Sequence, residues 1–181
     1  MAAGGLREAL ADSQRLGMLG SRPIDEVIEH AQAFVDALSD VTGTVLDLGS
    51  GGGVPGLVIA VARPDLRVLL VDRRTARTDH LARLVRRLEL DDRVEVIAAD
   101  ASILRLPTPV DAVVARGFGP PVSTGRIAVA FLRPHGRFVV SEPPGDAPRR
   151  WGEDLVRRMH LVRLPHGDPR VAVFAHVPRG T

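Results

Sequence analysis

The stretch Val45-Leu46-Asp47-Leu48-Gly49-Ser50-Gly51-Gly52-Gly53-Val54-Pro55-Gly56 decides the fold. An apolar β-prone run enters a glycine-rich turn, and a helix opens near Pro55, where the fixed φ of proline suits a first turn. Glycines there let a ligand approach the main chain. The next apolar run ends at Asp72, about twenty residues on, where an acid can grip ribose hydroxyls. Gly51-x-Gly53-x-x-Gly56 matches the dinucleotide fingerprint. Its weight comes from its place between strand and helix, with Asp72 behind it.

Outward from this loop, short β-branched runs alternate with helical patterns, which predicts an α/β fold with a mostly parallel sheet. Strands are expected over Thr44–Leu48, Arg67–Val71, Val94–Ala98, Asp111–Ala115 and Arg137–Ser141. Leu81, Leu84, Val85 and Leu88 form one apolar helical stripe, with Arg83, Arg86 and Arg87 off it on a solvated face. Two helices, Leu6–Leu16 and Pro23–Ala37, precede the first strand, and Ser123 or Thr124 should cap a later one. A helix is expected over Asp146–Arg158, then Leu161–Leu164 and Val171–Val177 as an antiparallel hairpin around Pro165-His166-Gly167-Asp168-Pro169. The expectation is one Rossmann-like domain, a seven-stranded sheet with residues 1–40 as a helical cap and 41–181 as the core.

Length and composition bound the function. A chain of 181 residues with 45% hydrophobic and 25% charged residues is globular, which excludes disordered and collagenous classes. The absence of cysteine removes disulfides, thiolate metal sites and thiol nucleophiles. The six histidines lack metal-ligand spacing, so no metal is expected. Arg7 and Glu8 leave no apolar core for a signal peptide, and no run is long enough to cross a bilayer. A cytoplasmic monomer without membrane attachment is expected. The high pI follows from the absence of Lys, Tyr and Cys, since little titrates between histidine and arginine. Charge is nonetheless uneven: residues 1–115 carry thirteen arginines against seventeen acids, and 116–181 eleven against five. The basic part can face phosphates or serve solubility.

Asp47 helps choose the nucleotide. A dinucleotide sets a doubly negative pyrophosphate over this loop, where a nearby carboxylate repels it. S-Adenosylmethionine brings an ammonium and a sulfonium, which an acid ending the first strand suits, although Asp47 could equally bond the loop's own amides. This favours a class I methyltransferase core over a dehydrogenase. Asp100, with Ala101, is placed to bond adenine's amino group or to cap a helix. Arg116 and Phe118 lie at the rim, where ligands of open sheets bind. Phe118 and Trp151 are the aromatics on which an RNA base could stack.

Leu46–Leu57, with Gly53-Val54-Pro55-Gly56 as its most specific part, and Leu69-Leu70-Val71-Asp72-Arg73-Arg74 resemble the RsmG (GidB) family of small-subunit ribosomal RNA methyltransferases. The resemblance extends to Leu16–Gly20, Glu29-His30, Ala115-Arg116-Gly117-Phe118 and Leu132–Arg137. It implies S-adenosylmethionine as cofactor, 7-methylguanosine as product, and ribosomal RNA or the small ribosomal subunit as partner. Carried onto this sequence, it implies Asp47, Gly49, Ser50, Gly51, Gly53, Pro55, Asp72, Arg73, Asp100 and Ala101 as cofactor-binding, Arg116 as catalytic, and His30 and Phe118 as substrate-binding. The chain departs from the family with Ser141-Glu142-Pro143-Pro144 in place of a Lys-Gly, and Glu29 in place of an arginine. A methyltransferase of small molecules or proteins, and a cofactor-binding homologue without ribosomal activity, are the alternatives.

Overall fold

The computed structural model of the protein describes residues 2–143 and 150–178. In chain order these form α1 (Ala2–Arg15), α2 (Ile24–Ala37), β1 (Gly43–Leu48), α3 (Gly56–Ala62), β2 (Leu66–Asp72), α4 (Thr75–Arg87) and β3 (Val94–Ala98). There follow β4 (Val110–Ala115), α5 (Pro121–Phe131), β5 (Leu132–Ser141), α6 (Glu153–Arg158), β6 (Leu161–Leu164) and β7 (Val171–His176). The sheet runs β3-β2-β1-β4-β5-β7-β6, with β1 to β5 parallel and β7 antiparallel to both its neighbours. This is the Rossmann-like fold of class I methyltransferases. The last strand is inserted beside β5 and pushes β6 to the edge.

The central strands are buried on both faces, so alternate residues feed two cores. Val45, Val68, Leu70, Ala112, Val114 and Val139 pack against α1 to α4. Leu46, Leu48, Val71, Val113, Phe138 and Phe174 pack against α5, α6 and Trp151. In α4, Leu81, Leu84 and Val85 are buried, while Arg83, Arg86 and Arg87 face solvent. Arg87 pairs with Asp12 of α1, and Ser13 meets His80 at 2.9 Å between the same helices.

Three sequence expectations need correction. Strand β5 starts at Leu132 rather than Arg137, because Leu132 pairs with Val110 before the register shifts around Pro134 and His135, the latter at φ 63°. Of the helix expected over Asp146–Arg158, residues 146–149 lie outside the described residues, Arg150 is helical, and the helix is broken at Gly152, extended at φ −59° and ψ 149°, before Glu153–Arg158. Ser123 and Thr124 do not cap α5. Pro120 stands at the cap, the Ser123 hydroxyl donates to its carbonyl at 3.1 Å, and the Thr124 hydroxyl is buried without a partner.

Among the described residues, no helix is long and apolar enough to cross a membrane. The chain order reverses at β1, which has β2 on one side and β4 on the other. The crevice at their carboxyl ends is where open α/β sheets hold ligands.

Candidate functional site

The carboxyl ends of β2, β1, β4 and β5 lie side by side, so Asp72, Gly49, Arg116 and Glu142 follow one another along one sheet edge. The glycine loop between β1 and α3 is held by its own sequence. The Gly49 and Ser50 amides donate to the Val71 carbonyl at 2.8 and 3.0 Å, and the Ser50 hydroxyl to the Asp47 carbonyl at 3.1 Å. The Gly51 amide donates to Asp72 Oδ2 at 3.0 Å. Gly49 sits at φ 71°, and a Cβ on it would stand 2.8 Å from the Phe118 ring. A Cβ on Gly52 would meet Leu19 at 2.6 Å and the Met18 carbonyl at 2.9 Å, because the α1–α2 connection lies directly on the loop.

Asp47 ends up beneath the loop, 1% exposed. Its Oδ2 accepts from the Gly56 amide at 3.1 Å at the start of α3, and its Oδ1 has no hydrogen-bond partner among the described residues. Burial pushes its pKa up to about 7, opposed by the Ser50 hydroxyl, the Gly56 N–H and the charge of Arg116. Asp72 is more fully engaged. Oδ1 accepts from the Arg74 amide at 2.9 Å, while Oδ2 takes Gly51 and, at 3.4 Å, Arg77. The carboxylate expected to grip a ribose therefore also ties the loop to the start of α4.

Two hollows open at this edge and share Gly117. The smaller, about 260 Å³, is lined by Gly49, Asp72, Arg73, Asp100, Ala101 and Phe118, among others. Asp100 Oδ1 accepts from the Ser102 amide at 2.9 Å and hydroxyl at 2.7 Å, which caps a turn and holds its pKa below the usual carboxylate range. Oδ2 is left without a hydrogen bond among the described residues. Phe118 stands on this side, over Gly49, and not in the wider cleft where substrate contact was expected. Asp47, Ser50, Gly51, Gly53 and Pro55 line neither hollow; they are buried, and the loop residues among them shape the hollow from behind.

The wider cleft, about 1210 Å³, holds His30 and Arg116 with Arg22, Glu142, Arg163 and Arg170. Burial lowers the Arg116 pKa, and Arg22 lowers it further against the pull of Asp47. His30 is pushed down by burial first, then by Arg116, Arg170 and Arg22, and its Nε2 is buried without a hydrogen-bond partner among the described residues. Trp151, a stacking candidate on sequence, is only 4% exposed and packs edge-on to Phe138 at 5.6 Å, so it serves the core. Sequence reasoning missed Arg22, Arg163 and Arg170. They come from a loop, β6 and the start of β7, and no local spacing links them.

The GidB family profile, described as rRNA small subunit methyltransferase G, matches residues 8–142. The chain belongs to this family. Relatives named ribosomal RNA small subunit methyltransferase G include that of Salinispora arenicola, 37% identical over 71% of this chain and 54% of its own. That of Salinispora tropica is 35% identical over 86% of this chain and 66% of its own, and that of Rhodococcus jostii 30% identical over 87% and 69%. The chain thus spans roughly half to two-thirds of the length of these curated relatives. Among solved structures, an O-methyltransferase family protein from Burkholderia thailandensis superposes with a TM-score of 0.66 at 17% identity, covering 87% of this chain and 59% of its own. The N-methyltransferase NodS from Bradyrhizobium japonicum, bound to S-adenosyl-L-homocysteine, gives 0.60 at 16% identity, covering 93% of this chain and 98% of its own. At those identities the likeness is one of fold: this GidB chain shares the Rossmann-like fold of these methyltransferases.

Proposed function

We propose that the chain is an S-adenosylmethionine-dependent methyltransferase that forms 7-methylguanosine in small-subunit ribosomal RNA, acting as a cytoplasmic monomer. One observation supports the reading: near the end of β1, Asp47 Oδ1 is buried and has no hydrogen-bond partner among the described residues, a poor site for a phosphate and a good one for an ammonium. The small-subunit names of the relatives supply the acceptor class.

When bound, S-adenosylmethionine supplies an electrophilic methyl group on a sulfonium. Asp47 Oδ1 would meet its ammonium, directly or through water. Gly49 and Phe118 would wall the nucleoside, Asp72 and Arg73 would border the ribose, and Asp100 Oδ2 with Ala101 would face adenine. Gly117 is shared by the two hollows, and methyl donor and acceptor would meet beside it. Arg116 and His30 would hold the acceptor nucleotide. The guanine N7 lone pair needs no proton removed, so positioning is the main task of these residues.

Labelled S-adenosylmethionine, incubated in parallel with unmethylated small subunits, mature ribosomal RNA and total metabolites, tests this. Label in the subunits or RNA, falling steeply with salt, is expected, because phosphate contacts impose that slope. Label confined to metabolites would transfer the reading to a small-molecule acceptor, and no label anywhere would end the catalytic one.

A further inference from the structure

Glu142 directly follows β5 and lines the wide cleft, yet only 5% of it is exposed. Neither Oε1 nor Oε2 makes a hydrogen bond among the described residues. Burial raises its pKa, while Arg150, Arg163 and the nearby Trp151 indole N–H favour its ionised form. The other acid of the cleft, Asp168, is already spent: Arg170 donates to its Oδ1 at 3.0 Å and to its Oδ2 at 2.6 Å. Glu142 is therefore the carboxylate of the cleft whose two oxygens have no hydrogen-bond partner among the described residues. A buried acceptor pair left unmade is costly, so its retention points to a donor pair arriving from outside.

We propose that Glu142 reads the acceptor base, its two oxygens accepting from N1–H and the 2-amino group of guanine. The inference rests on the methyltransferase reading above. Guanine presents two adjacent donors on that edge, whereas adenine presents a lone pair at N1 and cytosine one at N3. A carboxylate facing either would be repelled at one oxygen, which makes the site discriminating as well as attractive. N7 lies on the opposite side of the purine and stays clear. Methylation there leaves the ring positively charged with no proton lost, so N1–H and the 2-amino group become stronger donors. The contact with Glu142 then tightens as reaction proceeds, the condition for an interaction to speed it. Arg150 and Arg163 oppose the effect of burial and favour the ionised carboxylate.

Calorimetry on the full chain loaded with S-adenosylhomocysteine tests this with guanosine, inosine and adenosine 5′-monophosphates at millimolar concentrations. Inosine lacks only the 2-amino group. The guanosine nucleotide is expected to bind about tenfold more tightly than inosine, and Glu142→Gln to narrow that ratio to about twofold with an unchanged melting temperature. Glutamine keeps the size of the side chain and replaces one oxygen with a donor, so a merely structural role would leave the ratio intact. Equal affinities for guanosine and inosine nucleotides in the wild-type chain, or binding of neither, overturn the proposal whether or not the variant folds. Methyl transfer to small subunits without any guanosine preference refutes Glu142 alone; guanosine preference without transfer refutes the acceptor reading and leaves base recognition standing.

Discussion

Asp47 should make cofactor affinity depend on pH near neutrality. In the free chain its pKa is pushed up to about 7 by burial, against an ordinary 3.8. The protonated acid offers little to an ammonium, so affinity should follow the ionised fraction. That fraction is about one-tenth at pH ~6 and about nine-tenths at pH ~8, so affinity for S-adenosylhomocysteine should rise roughly tenfold across the interval. Binding below neutrality must also release close to one proton, because the ammonium pulls the bound carboxyl's pKa down. Calorimetry in buffers of different ionisation enthalpy reads both quantities. Asp47→Asn keeps an acceptor for the Gly56 amide but carries no charge. It should bind about 1.5–3 kcal/mol more weakly at pH ~8 and show no pH dependence there. Stability has the opposite sign: a carboxyl whose folded pKa is raised stabilises the free chain fully below about pH 4, and that contribution is lost as pH rises toward 7. A wild-type affinity flat from pH ~6 to ~8, or the same slope in Asp47→Asn, would remove Asp47 from contact with the ligand.

Asp72→Ala strands the amides of Gly51 and Arg74, at about 1–3 kcal/mol each, so urea-unfolding stability and S-adenosylhomocysteine affinity should fall together. An affinity loss with unchanged unfolding would instead put Asp72 on the ribose alone. Arg116→Ala should lower kcat on small subunits more than cofactor affinity, and equal losses in both would contradict an acceptor-side role. Thr124→Val removes a buried hydroxyl that has no partner, so stability should stay level or rise by up to about 1 kcal/mol. A fall of that size would expose a hidden acceptor.

Much of the fold was legible because its signals are local. The apolar runs of β1 and β2, the Leu81–Leu84–Val85 stripe and the Gly51–Gly56 loop each depend on residues within one or two turns of chain. The misreadings came where a distant contact or a single backbone angle decides. Leu132 joins β5 only because Val110 lies beside it, which no period-two pattern announces. Gly152 breaks the last helix by its own extended conformation. The site divides in the same way. Asp47, Asp72 and the glycines lie on a contiguous loop and the strand after it, so their residue types sufficed. The arginines of the wide cleft meet because β7 enters the sheet beside β5, and that insertion has no signature in spacing. Phe118 follows a glycine at φ 62°, and the turn there carries its ring back over Gly49.

The decisive distinction between a sulfonium nucleoside and a dinucleotide lies in what the loop's amides already do. A pyrophosphate bound at such a loop needs free N–H groups at the start of the following helix. In this chain the Gly49 and Ser50 amides are given to Val71, that of Gly51 to Asp72, that of Gly53 to the Ser50 carbonyl and that of Gly56 to Asp47. Two carboxylates therefore occupy positions where a diphosphate would seek donors, and both would repel it. Arg73, Arg74 and Arg77 border the smaller hollow and could favour an anion at the ribose end. Arg77, however, is engaged by Asp72 at 3.4 Å, and Arg73 and Arg74 lie between β2 and α4 rather than at the start of α3. The glycine pattern alone is common to both ligand classes. The carboxylates that take up its amides would separate them, and Asp47, with one oxygen on Gly56 and the other without a partner among the described residues, would favour the cation.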